Sequence, residues 1–232
     1  MTKTTVMICR DPKGLNRQLV PLLPATGAIT LIGWKQIPEP VDGGVPNDVA
    51  MMLARAFTSV ARVTFFGISE ADVTSRDWLL LKEDFVRAVN KRGLIGRAQQ
   101  LIDRIPYNAV LVSTRQAKTV IRLFDEPAFP WWLEGQIVLL SSTEGPPPLL
   151  DIKSVISLLD NDDSSRQRET CLDAGILGII RPGVDGDIAG FLSLDPSIEA
   201  QLLSTLEDES TCSGFDWSVL CEAEFGERFA GA

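Results

Sequence analysis

The chain has 232 residues, 45% of them apolar and 23% charged, with a formal net charge of −9 and no histidine. These proportions suit a globular protein with enough apolar surface for an unstapled core, and no apolar run approaches the ~20 residues of a membrane-spanning helix. The missing histidine excludes Ser-His-Asp and Cys-His nucleophiles, histidine-ligated zinc and histidine acid–base work, and leaves carboxylate, lysine or tyrosine chemistry.

The opening MTKTTVMICRDPKG has no sustained apolar h-region and no small-residue cleavage site, so a cytoplasmic chain is expected. Apolar and β-branched runs bounded by turn formers predict strands at Thr4–Cys9, Ala28–Trp34, Arg62–Ile68, Ala109–Ser113, Thr119–Phe124, Gln136–Leu140, Ile176–Ile180 and Ile188–Leu194. Their near-continuous apolar character predicts strands covered on both faces. Arg62–Ile68 and Thr119–Phe124 are less uniform and are placed nearer an edge.

Helical spacing links Val49, Leu53, Ala56, Phe57 and Val60 behind Pro46. It recurs from Ser75 through Trp78, Leu81, Phe85 and Val89, and in a second stripe at Ala98, Leu101, Ile102 and Ile105. Leu150–Leu159 and Ser164–Ala174 read as shorter helices, the latter stopped by Gly175. Asp195-Pro196 caps a helix that aligns Ile198, Leu202, Leu203 and Leu206. The expected fold is α/β: a layered mixed or mostly parallel sheet flanked by helices over residues 1–195, with an acidic C-terminal extension over 196–232. The three prolines of Glu144-Gly-Pro-Pro-Pro148 mark a possible internal boundary near Pro147.

The chain contains no G-x-x-x-x-G-K-[ST] loop and no G-x-G-x-x-G after a strand. Arg181–Asp187 holds Gly183, Asp185-Gly186 and Asp187, a turn composition with too many carboxylates for a phosphate cradle. Asp160, Asp162 and Asp163 are clustered, but the calcium-loop spacing is missing and Asp162 or Asp163 complements the dipole of the following helix. Arg87, Lys91, Arg97, Arg104, Arg115, Lys118 and Arg122 form a basic region interrupted by carboxylates and poor in aromatics. Cys9, Cys171, Cys212 and Cys221 lack C-x-x-C spacing and read as free thiols, with Cys9 and Cys171 buried.

The charge is unevenly distributed. Residues 1–159 carry a net +3 and residues 160–232 a net −12. Residues 195–232 alone hold nine carboxylates against Arg228, interleaved with Phe215, Trp217, Val219, Leu220, Phe225 and Phe229. They include the polar Glu207-Asp-Glu-Ser-Thr-Cys-Ser-Gly214, which has turn character.

Acidic residues beside apolar anchors suit docking to a basic partner surface. The expected function is therefore a non-catalytic, protein-binding inhibitor or regulator of an immunity, anti-defence or plasmid- or phage-accessory type. The expected contact residues are Phe215, Asp216, Trp217, Leu220, Glu222, Glu224 and Phe225, with Trp131 and Trp132 as a secondary interface. No cofactor, metal, membrane or direct nucleic-acid contact is expected. Two alternatives stay open: a carboxylate- or magnesium-dependent enzyme using Asp160–Asp163 or Asp185 and Asp187, and a nucleic-acid-binding module using 87–122. The same C-terminal stretch also reads as a final helix packed on the protein's own core, with Trp217 and Leu220 buried.

Overall fold

In β1 (Lys3–Arg10) successive side chains alternate between two apolar layers, because neighbours on a strand face opposite ways. Val6 and Ile8 enter one core and Met7 and Cys9 the other. A strand apolar on both faces needs a helical layer on each, and the computed structural model of the protein shows both layers. It describes residues 3–20, 23, 28–37, 45–69, 96–101, 107–124, 136–144, 149–160, 165–183 and 187–229.

The other described strands are β2 (Ala28–Ile37), β3 (Arg62–Ser69), β4 (Gly96–Leu101), β5 (Tyr107–Thr114), β6 (Gln136–Ser141), β7 (Ile176–Pro182), β8 (Ile188–Ser193) and β9 (Asp216–Leu220). They form a nine-stranded sheet in the order β4-β5-β3-β6-β7-β8-β2-β1-β9. Every pair is antiparallel except β1 with β9, so the sheet is mixed but not mostly parallel. Apolar continuity along a strand reports burial on both faces and does not encode strand direction, hence the difference from the parallel expectation.

The described helices are α1 (Leu15–Leu19), α2 (Asn47–Val60), α3 (Ala117–Phe124), α4 (Leu149–Asp160), α5 (Ser165–Asp173), α6 (Pro196–Cys212) and α7 (Glu222–Phe229). On the first face α2 packs between α3 and α6. That core gathers Val6, Ile8, Ile32 and Trp34 from the sheet with Leu53, Phe57, Leu202 and Leu206 from the helices. On the second face Met7, Cys9 and Leu31 meet Leu15, Val155, Cys171, Phe225 and Phe229 from α1, α4, α5 and α7. An antiparallel strand pair followed by a helix on the first face occurs three times: β1-β2-α2, β4-β5-α3 and β7-β8-α6.

Local chemistry explains several boundaries. Asp195 accepts the Ser197 N–H at 2.9 Å and Pro196 opens α6, so one N-terminal donor is satisfied and another is absent. After α5, Gly175 takes φ +76° and its N–H reaches the Leu172 carbonyl at 2.8 Å. A Cβ there would lie 2.5 Å from the Thr143 side chain, so both conformation and space demand glycine. Strands β7 and β8 pair antiparallel, and the Gly183 N–H reaches the Ile188 carbonyl at 2.7 Å; the turn expected at Asp185-Gly186 lies outside the described residues.

Four local expectations are corrected. Thr119–Phe124 belongs to helix α3, not to a strand: Val120 is buried in the first core and Ala117 and Ile121 pack against it, a helical spacing that outweighs the β-branched composition. Gly96–Leu101 is strand β4, not part of a helical stripe, because six residues gain more from pairing with β5 than from an isolated turn of helix. Arg62–Ile68 lies between β5 and β6, away from either edge. The polar run before Gly214 continues α6 to Cys212 rather than forming a turn, since Ser210 is buried against Met52 and Glu209 pairs with Arg55 on α2.

The expected helix from Ser75 and the tripeptide Pro146–Pro148 lie outside the described residues. β6 and β7, on either side of those prolines, pair directly, so the sheet is continuous across them.

Candidate functional site

The acidic segment after Ser193 is built into the sheet and into both helical layers. Its first part, α6, uses carboxylates internally. Asp195 is the N-cap, and its hydrogen bonds from Ser197 hold the carboxyl below its ordinary range. Glu199 is buried, accepts the Thr30 hydroxyl at 2.9 Å and lies 3.4 Å from the Arg10 guanidinium. A buried carboxylate requires such partners. Glu209 pairs with Arg55 at 3.3 Å. Glu207 and Asp208 remain exposed on the last turns of the helix.

Ser213 ends α6, and Gly214 at φ +72° turns the chain so that the Phe215 N–H bonds to the Ser210 carbonyl. Five residues then run parallel to β1, with Asp216 opposite Thr5 and Leu220 opposite Cys9. Strand alternation separates the side chains. Trp217, beside Val6, packs against the first core, and Leu220 packs against the second. Val219, beside Ile8 and on Trp217's face, is 63% exposed. Asp216 pairs with Lys3 at 2.7 Å, which raises the ammonium pKa.

The final helix is held at both ends. Glu224 accepts the Cys221 N–H at 3.1 Å, one half of a capping box, and this bond keeps its carboxyl below the usual range. Glu222 accepts the Leu15 N–H at 3.0 Å, with Lys13 and Gly14 N–H groups also turned towards it. Those donors lower its pKa and tie α7 to the loop after β1. Beneath α7, Gly33 leaves the space that two rings occupy: a Cβ there would come within 2.3 Å of Phe229 and 3.0 Å of Phe225. The two rings sit 4.6 Å apart, and the Lys35 ammonium stands 5.3 Å from the Phe229 centroid. Nearby, burial and then the negative charge of Glu222 push the Cys9 thiol up to about 11. None of the four cysteines is in a disulfide; Cys9 and Cys171 are buried and Cys212 and Cys221 exposed.

Of the residues singled out in the sequence, Asp216 and Glu224 are exposed and Phe215, Trp217, Leu220 and Glu222 are half-buried. They occupy a strand and the start of a helix rather than one helical face. Phe225 is 0% exposed in the protein's own core, so it offers no surface to a partner. Trp131 and Trp132 lie outside the described residues.

Asp160 ends α4, and Asp187 precedes β8; Asp162, Asp163 and Asp185 lie outside the described residues, as do the cations at 82–92 and 104. Arg97 belongs to β4, and Arg115 and Lys118 are exposed near the start of α3. Among the described residues no three carboxylates or thiols gather as metal ligands, and no helix is long and apolar enough to cross a membrane.

What the sequence reading missed is that Asp216–Leu220 is a strand and that Val219 is its most exposed apolar residue. The signal was short: aromatic and β-branched positions alternating over five residues between Gly214 and Cys221.

No protein-family model matches the chain, and neither a curated protein nor a solved structure shows significant similarity to it.

Proposed function

We propose that the protein is a non-catalytic binding protein, an inhibitor or regulator working in the cytoplasm, which covers a basic site on another protein with its acidic C-terminal segment. The observation that supports this most is the placement of that segment. It is folded, it ends the sheet, and it carries half-buried Trp217 and exposed Val219 in β9 and the exposed carboxylates Glu207 and Asp208 in α6, the helix that leads into it. Apolar anchors rimmed by charge are the usual make-up of a binding surface. Phe225 and Phe229 have no part in it, because they fasten α7 to the second core. The carboxylates at Asp195, Glu199, Glu209, Asp216, Glu222 and Glu224 have partners within the fold, so steering falls first to Glu207, Asp208 and Glu227.

The test is a partner recovered by cross-linking in the native cell and then titrated with purified protein. The double variant Glu207→Lys, Asp208→Lys should slow association and flatten the salt dependence, as loss of rim charges does. Unchanged association kinetics in that variant, with unchanged affinity in Val219→Lys, would overturn the reading.

A further inference from the structure

Resting on that binding role, we infer that β9 is a strand-addition site: an extended, lysine- or arginine-bearing segment of a partner protein pairs with its outer edge. The sheet order ends at β9, and among the described residues β9 pairs with β1 alone. An edge strand leaves alternate N–H and C=O groups turned outward, and proteins ordinarily guard such an edge with lysine, proline, a bulge or a charge. Asp216–Leu220 contains neither lysine nor proline and pairs with β1 without a register shift. Its single charge, Asp216, faces the second layer and is held by Lys3. The first face of the edge therefore presents Trp217 and Val219, two positions apart, with nothing charged in the strand between them. Side chains of an added strand alternate in the same way, so every second one would lie against this pair.

Charge selects the occupant. Both neighbours of β9 in the chain are acidic: Glu207 and Asp208 are exposed in the last turns of the helix on the first face, and Glu224 and Glu227 are exposed on the helix of the second face. A second copy of this edge would bring another segment of net −8 against the first, and like charges set opposite one another disfavour the pair. A basic strand is the occupant that the exposed carboxylates of the two flanking helices favour.

The experiment titrates isotopically labelled full-length protein at low salt with a short synthetic peptide of alternating lysine and valine. Residue-resolved amide exchange is read over Asp216–Leu220. Three controls accompany it: the same peptide N-methylated at alternate backbone nitrogens, a glutamate–valine counterpart, and the Val219→Lys variant, whose fold is checked by circular dichroism. Strand addition predicts protection of β9 amides by the basic peptide and none by the acidic one. It also predicts about ten-fold weaker binding on N-methylation or in Val219→Lys, from lost backbone bonds and opposed charges.

Equal binding of the N-methylated peptide would overturn strand addition while leaving the acidic binding surface standing. No binding of either basic peptide would overturn both. Protection of β9 that rises with protein concentration without peptide would identify a second copy as the occupant and overturn the proposal.

Discussion

The two halves of the C-terminal stretch each carry two aromatic residues and meet opposite fates. Phe215–Leu220 and Glu222–Phe229 each mix aromatics with carboxylates, yet Phe225 and Phe229 are buried while Trp217 is half-exposed and Val219 largely exposed. The difference lies in the receiving surface. Gly33 opens a floor under α7 deep enough for two rings, whereas among the described residues β9 has a neighbouring strand on one side only. One half serves as a fastener and the other ends the strand order, so the presence of aromatics alone does not say which of them the core will enclose.

The largest effect should come from breaking the fastener. Phe225→Ala removes a fully buried ring and should cost about 3–5 kcal/mol, read as a lower midpoint in urea unfolding. A loss under about 1 kcal/mol would mean that α7 is not fixed to the sheet as described.

Next in size is the entry to the segment. Asp195→Ala deletes the cap of α6 and should cost about 1 kcal/mol, while Asp195→Ser should recover most of it by keeping an acceptor for the Ser197 N–H.

A pH-dependent effect sharpens the contrast further. The Glu222 carboxyl is held below its ordinary pKa by the Leu15 and Lys13 N–H groups. A depressed carboxylate contributes stability that is present above the unfolded value, about 4.3, and is lost as pH falls through the folded value. Glu222→Gln should therefore be less stable than the parent at neutral pH, with the gap closing in acid below the ordinary carboxylate range. Paired thermal melts across that range check it, and a gap that widened in acid would contradict the tie between α7 and the β1 loop.

The smallest effect belongs to the other half. Val219→Lys, at a side chain 63% exposed, should change stability by no more than about 0.5 kcal/mol. A cost comparable to that of Phe225→Ala would show that the β9 edge is part of the core and not a surface.

Much of this was legible in the chain. Seven of the eight runs predicted as strands are strands, because two-sided burial leaves a continuous apolar signature that survives without knowledge of neighbours. The α6 cap, the Gly175 stop and the buried pair Cys9 and Cys171 were equally plain, since each rests on chemistry within a few residues or on one residue type. The errors share a cause. Thr119–Phe124, Gly96–Leu101 and Asp216–Leu220 are short segments in which local preference is weak and the partner decides: α2 and the first core for α3, β5 for β4, β1 for β9.

Composition and local pattern determined that this chain would be layered, covered on both faces, free of histidine chemistry and acidic at one end. Those properties depend on which residues are present and how they repeat. Only the tertiary structure decided that the acidic end would close the sheet as a parallel strand, that Phe225 would be enclosed, and that Val219 would be left at an edge. Each of these depends on what lies across from the residue in space: Thr5–Cys9 beside β9, and Gly33 beneath α7.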